Sequence, residues 1–343
     1  MQRIREQYRH DQGADHHAKR KQCCPGHNDA QGLSGRERFL SAVREKDTRE
    51  ALARVFTLCA DEGGQEIYRS LLSLIMVEGV DEFVTLLDQN VVPDLLFTQL
   101  QDTIDNAIYE AQVKRIVRVL GRFDGAVVDR AAQLSLPAPE RSPRLRAAVI
   151  NVLGGTNHAS AVQPLIARLR DTESFIVERA INALIRLGPA LSLTQVLQEV
   201  ESRVSEPSSR RVHQAALLIL ERFMNEQDGH RWLSLLQYQS TIERVVSVLT
   251  SNYRDEPEVQ RQTREILVRQ SQKLSEIDEP GASDKRWDTL MDALLNYLSL
   301  QNDVATLNAI QVLQEIGAPA VPRLLDLLHS LIDDVRVHTI EIL

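Results

Sequence analysis

Cysteine is scarce in this 343-residue chain: there are three, two of them adjacent, which cannot make a disulfide framework. Aromatic residues are only 4% of the sequence, which disfavours a sheet-built core, because strands draw on aromatic and β-branched side chains. Long apolar runs are missing too, and no stretch approaches the roughly 20 residues a membrane helix needs. The N-terminal Met1-Gln-Arg-Ile-Arg-Glu-Gln-Tyr-Arg-His has no apolar centre of the kind a secretory signal carries. Positive charge is in deficit: 40 Lys and Arg face 48 Asp and Glu, a formal net charge of −8. Nothing in that balance favours nucleic acid or an anionic membrane surface. No glycine-rich phosphate loop, serine-nucleophile elbow or His-Glu-x-x-His pattern occurs. The expectation is a cytoplasmic chain without cofactor or catalytic residues.

What the sequence has is helical periodicity. Val162, Leu165, Ile166 and Leu169 form one apolar stripe at i, i+3, i+4 and i+7, and Leu193, Val196, Leu197 and Val200 repeat it 31 positions on. Met291, Leu294, Leu295 and Leu298 are followed 30 positions later by Val321, Leu324, Leu325 and Leu328. Ile242, Val245, Val246 and Leu249 lie between, 49 positions from the stripe on either side, which predicts longer helices or insertions in the middle units. A second kind of helix alternates with these. Phe175–Gly188 aligns with Val304–Gly317, so that Ala180 falls on Ala309, Leu184 on Leu313, Leu187 on Ile316 and Gly188 on Gly317. The small residues let neighbouring helices come close. The glycines stop the helix through a positive φ, and Pro189 and Pro319 prevent its continuation. Asp171 and Asp333 precede the next first helix, where they cap it or favour its positive end.

These residues resemble HEAT repeats of the short bacterial and lyase-associated kind. The best matches are Ala320-Val-Pro-Arg-Leu-Leu-Asp-Leu-Leu328, Asp334-Val-Arg336 and Arg144–Gly154. The resemblance implies an all-α fold, a right-handed α-α superhelix (solenoid) of stacked antiparallel helix pairs. One pair cannot bury its apolar face alone, so such chains fold by stacking. In HEAT-like solenoids the second helices line the concave side. Their polar positions, Gln163, Arg168, Gln195, Glu199, Arg323 and Asp326, are therefore the candidate partner-binding residues. Their mixed charge argues against a continuous phosphate track.

Residues 1–35 are polar and aperiodic and read as a disordered tail, mildly basic over 1–22 with six Lys or Arg against three Asp or Glu. Residues 36–141 read as an N-terminal helical region of degenerate repeats, with helices over 36–46, 48–60, 64–77 and 80–90. Pro93 opens another at its first turn, and a stripe of Val113, Ile116, Val117 and Leu120 ends at Gly121. Residues 142–343 read as the HEAT-like repeats. The three prolines of Leu136–Pro143 mark either a module boundary or, on the favoured reading, a loop between units. Ser202–Ser209 and Ser275–Lys285 read as exposed loops.

His16, His17, Cys23, Cys24 and His27 are the one metal-like cluster. Adjacent cysteines are a poor basis for a structural zinc knuckle, so no metal is expected. Cys59 reads as a buried thiol, and Trp232 and Tyr238 either fill the gap between longer helices or anchor a partner. Asp333 and Asp334 face different ways on a helix, which suits a helix start better than acid–base catalysis. The final segment is a first helix without its second, so the expectation is a piece of a longer array, truncated at its C-terminal end, or an edge that docks against another subunit. The function expected is a non-catalytic scaffold for protein–protein interaction, through the concave groove or the C-terminal edge. The family resemblance alone offers two alternatives, a subunit associated with bilin-chromophore attachment and a nucleic-acid binder like the HEAT-like DNA glycosylases.

Overall fold

Apolar stripes at helical spacing need a surface to bury against, and here each stripe meets the helix one repeat away. The computed structural model describes residues 35–63, 81–87, 91–105, 110–201, 207–225, 233–249, 257–275, 282–299 and 303–343. The chain falls into two units, Met1–Ala42 and Val43–Leu343. What is described of the first is most of α1 (Gly35–Arg44). The second begins with α2 (Lys46–Gly63), which packs on the single turn α3 (Asp81–Val84). Helices α4 (Val91–Asp105), α5 (Glu110–Leu120), α6 (Val128–Ser135), α7 (Pro143–Leu153), α8 (Val162–Arg168) and α9 (Ser174–Leu187) follow. Then come α10 (Pro189–Glu201), α11 (Pro207–Asn225), α12 (Leu235–Val248) and α13 (Pro257–Ser275). The last four are α14 (Ala282–Leu295), α15 (Asp303–Ile316), α16 (Val321–Leu327) and α17 (Asp333–Ile342).

From α5 onward the helices form two rows. The odd-numbered helices α5, α7, α9, α11, α13, α15 and α17 each pack on the next, forming the A row. The even-numbered helices α6, α8, α10, α12 and α14 do the same in the B row, and α16 packs on α17. No strand occurs among the described residues. This is an all-α solenoid of stacked helix pairs, as the periodicity predicts.

The predicted stripes are the core. Val162, Leu165, Ile166 and Leu169 of the α8 stripe are buried, as are those of α10 and α12. Burying such a side chain fully contributes about 1.5–3 kcal/mol. The aligned first helices behave alike: Ala180 and Ala309, Leu184 and Leu313, Leu187 and Ile316 are all buried. Gly188 and Gly317 both take a positive φ, 78° and 69°. Pro189 then starts α10, and Pro319 lies in the turn that leads into α16, so each proline opens the next helix as well as ending the last. The stripe thins at α16, where Leu324 is buried but Leu325 is exposed. Among the described residues no B-row helix follows it.

Middle repeats are longer in part because their helices are longer: α11 and α13 have 19 residues each, against 11 in α7 and 14 in α9. Tyr238 of α12 is buried there, with the Arg286 guanidinium 5.6 Å from its ring centre. Burial holds its phenol well above the ordinary tyrosine range. It fills the space between long helices. The Pro-rich segment 136–142 is a loop between packed neighbours: α6 lies against α7 across it. Ser142 caps α7, accepting the Leu145 N–H at 3.2 Å, and Pro143 is the first helical residue. The helix expected over 80–90 is shorter, one turn at Asp81–Val84 that buries Phe83 and Val84. Pro93 lies in the first turn of α4, as predicted. The helix expected over 64–77 lies outside the described residues, as do most of the two polar stretches 202–209 and 275–285.

Candidate functional site

Helices stacked one repeat apart bring polar side chains from distant sequence positions together, and many of them tie neighbouring repeats. In the short repeats three of these ties span 29 to 33 residues. Arg168 Nη1 donates to the Ser135 carbonyl at 3.2 Å, Arg170 Nη2 to Glu199 Oε2 at 2.8 Å, and Arg323 pairs with Asp292. In the long middle repeats four of them span 47 to 53. Gln262 reaches the Gln214 carbonyl at 3.1 Å, Arg269 reaches Glu221, Arg264 reaches Gln311, and Arg286 reaches the Leu233 carbonyl at 2.8 Å. The tie lengths follow the repeat lengths read from the stripes. One charge pair among them is buried: Arg146 Nη1 of α7 meets Asp171 Oδ2 at 2.6 Å, with side chains 6% and 3% exposed. Asp171 Oδ1 also accepts the Glu173 N–H at 3.1 Å, just before α9. The helix-start role expected of Asp171 is thus joined to a charge pair that links α7 to the start of α9.

Four of the six predicted partner-binding residues are on the B-row helices α8 and α10 and two are on α16, and they differ in freedom. Gln163 and Asp326 are exposed. Arg168, Glu199 and Arg323 are half-buried and hold the ties just described. Burial pushes the Arg168 guanidinium below its ordinary value, with the Asp171 carboxylate opposing the shift. Gln195 is half-buried, and its Oε1 has no hydrogen-bond partner among the described residues. Asp333 and Asp334 stand in the first turn of α17, where negative charge is favourable, and Asp333 pairs with Arg336.

Among the described residues, two notches open on the stack. One lies on the B row between α10 and α12, about 460 Å³, with Leu193, Leu197 and Gln198 on one side and Leu236, Ser240 and Arg244 on the other. Leu236 stands 79% exposed at its rim. The other lies across the end of α4 and the A-row helices α5, α7 and α9, about 570 Å³. Its floor is apolar, from Ile104, Val113, Ala147 and Ala148, and its rim carries Lys114, Arg144, Arg179, the Glu110 carboxylate and the exposed ring of Phe175. Sequence reasoning missed this second place. The signal was present in the charges of the first helices, but the overall acidity of the chain hides them.

The cluster of His16, His17, Cys23, Cys24 and His27 lies outside the described residues, as do Trp232 and the Cys59 side chain. Among the described residues no group of three or more His, Cys, Asp or Glu could hold a metal ion, and no helix is long and apolar enough to cross a membrane. No curated protein matches the chain. Residues 134–221 match the family model for HEAT repeats. That segment runs from the end of α6 into α11 and takes in the buried Arg146–Asp171 pair. Two rows of stacked helices and glycine-stopped first helices are consistent with HEAT repeats, which the match assigns to residues 134–221.

Proposed function

We propose that the chain is a non-catalytic, cytoplasmic scaffold that binds a protein partner along its B row, the concave side in HEAT-like solenoids. The observation that carries the reading is the notch between α10 and α12, where Leu236 stands in water beside Leu193 and Leu197. Protein interfaces centre on such apolar anchors, surrounded by polar groups that exclude water. Gln198 and Arg244 line the same notch, and exposed Gln163 and Asp326 extend the polar surface along the row. Arg168, Glu199 and Arg323 contribute by holding successive B helices in register. The apolar side chains exposed on α17 and just before it, Leu331, Ile332, Val337 and Ile340, offer a second place for a protein to cover. No observation favours the bilin reading over this one.

The test is affinity capture from the native host with the wild-type chain and with Leu236→Glu. Leu236 is exposed, so the substitution leaves the fold intact, which a thermal melt checks. Arg168 and Arg323 are poor probes because their reversal breaks ties within the stack. The expected outcome is at least one protein held by the wild type and lost from Leu236→Glu. Capture of the same set by both rules out the B-row notch as the binding place.

A further inference from the structure

The first five helices of the A row are basic, whereas its last two, α15 and α17, hold one Arg against five Asp and Glu. Helices α5, α7, α9, α11 and α13 of the A row hold 14 Lys and Arg against 5 Asp and Glu, a formal +9. Helices α6, α8, α10, α12 and α14 of the B row hold 5 against 7. With the whole chain at −8, everything outside those five A-row helices carries a formal −17. A helix flanked within its row and backed by the other row has one open side, so the exposed cations of α7, α9 and α11 share that side, with Glu178 of α9 among them. Arg144, Arg179, Arg186, Arg211 and Arg222 are exposed, and none has an ion pair or hydrogen bond among the described residues. Arg144 also stands in the first turn of α7, where the helix dipole disfavours a cation, and that turn holds no acidic residue. Lys114 is paired with Glu110 at 2.7 Å on the open surface, a contact that contributes little and yields readily to a better partner.

We infer that the open side of the A row from α5 to α9 binds a short acidic peptide segment of a partner protein, with one apolar side chain in the notch and flanking carboxylates on Arg144 and Arg179. The shape fits: an apolar floor takes the side chain, Phe175 covers one wall, and the guanidinium groups at the rim bind carboxylates in bidentate fashion. Three neighbouring helices span about 16–20 Å, which an extended segment of roughly six residues crosses. A short segment meets only the basic side. A long polyanion reaches past it to the acidic remainder of the chain and is repelled there. Sequence-tolerant binding of single-stranded nucleic acid also relies on successive aromatic platforms, and this notch has the single ring of Phe175. This inference concerns the other row from the proposed scaffold face and stands whether or not the Leu236 notch is occupied.

The probe is a fluorescein-labelled peptide of about ten Glu and Asp residues with a central Leu, titrated with the full chain in fluorescence anisotropy at about 50 and about 200 mM salt. Binding is expected to weaken with salt, to weaken about tenfold or more in Arg144→Glu/Arg179→Glu, and to weaken when the peptide Leu becomes Gly. Leu236→Glu is expected to leave it unchanged. If the double reversal lowers the melting temperature, the milder Arg144→Gln/Arg179→Gln is read instead, with a loss in the same direction. Absence of peptide binding, or binding indifferent to both double variants, overturns the inference. Tighter binding of an oligothymidylate than of the peptide, lost in the same variants, assigns the face to nucleic acid and overturns it too. Self-association abolished by the reversals and not competed by the peptide assigns the face to a second copy, which equally overturns it.

Discussion

Asp171 shows how a residue acquires a second role from the stack. Its position ahead of α9 gives it a local task, accepting the Glu173 N–H. Stacking of α7 on α9 then places Arg146 within 2.6 Å of its other oxygen, with both side chains almost wholly out of water. A charge at such a depth is tolerable only when paired, so removing one partner is far more damaging than replacing both. Asp171→Ala is expected to destabilise the chain by about 3–5 kcal/mol, and Arg146→Met/Asp171→Leu to recover most of that loss. Denaturant unfolding monitored by circular dichroism measures both. A loss below about 1 kcal/mol in the single variant would mean that the pair is not buried as described.

At the scale of the element, the helices themselves are legible in the sequence because burial repeats with the helical period. The α8, α10 and α12 stripes, the glycine stops at Gly188 and Gly317 and the long middle repeats all follow from spacing alone. Close approach between helices is not legible in that way. Gly154 at the end of α7 has an ordinary helical φ of −68°, so nothing local demands glycine. The demand comes from α9: a Cβ at Gly154 would lie 2.7 Å from the Ala183 Cβ and 2.8 Å from its Cα. Ala183 is 29 positions away, and only the repeat period brings it near. Gly154→Ala must push α7 off α9 and is expected to cost about 1–3 kcal/mol, read as a lowered thermal midpoint. An unchanged midpoint would show that the two helices are farther apart than this.

For the whole molecule, the same distinction separates fold from function. Contacts one repeat apart build the stack, so a repeat pattern reveals the architecture. A binding face depends instead on which side of each helix stays open. Arg168, Glu199 and Arg323 read as surface residues from their place on the stripe, yet the neighbouring repeat engages all three. The basic side of the A row is concealed in sequence because its charges are spread over five helices within an acidic chain. The notches at Leu236 and Phe175 need two or more helices from different repeats and cannot be read from any one of them. The central claim, that the B row is the scaffold face, is tested most directly by hydrogen–deuterium exchange on the full chain with and without its captured partner. Slowed exchange is predicted in peptides covering α10 and α12; protection that spares both helices contradicts the claim.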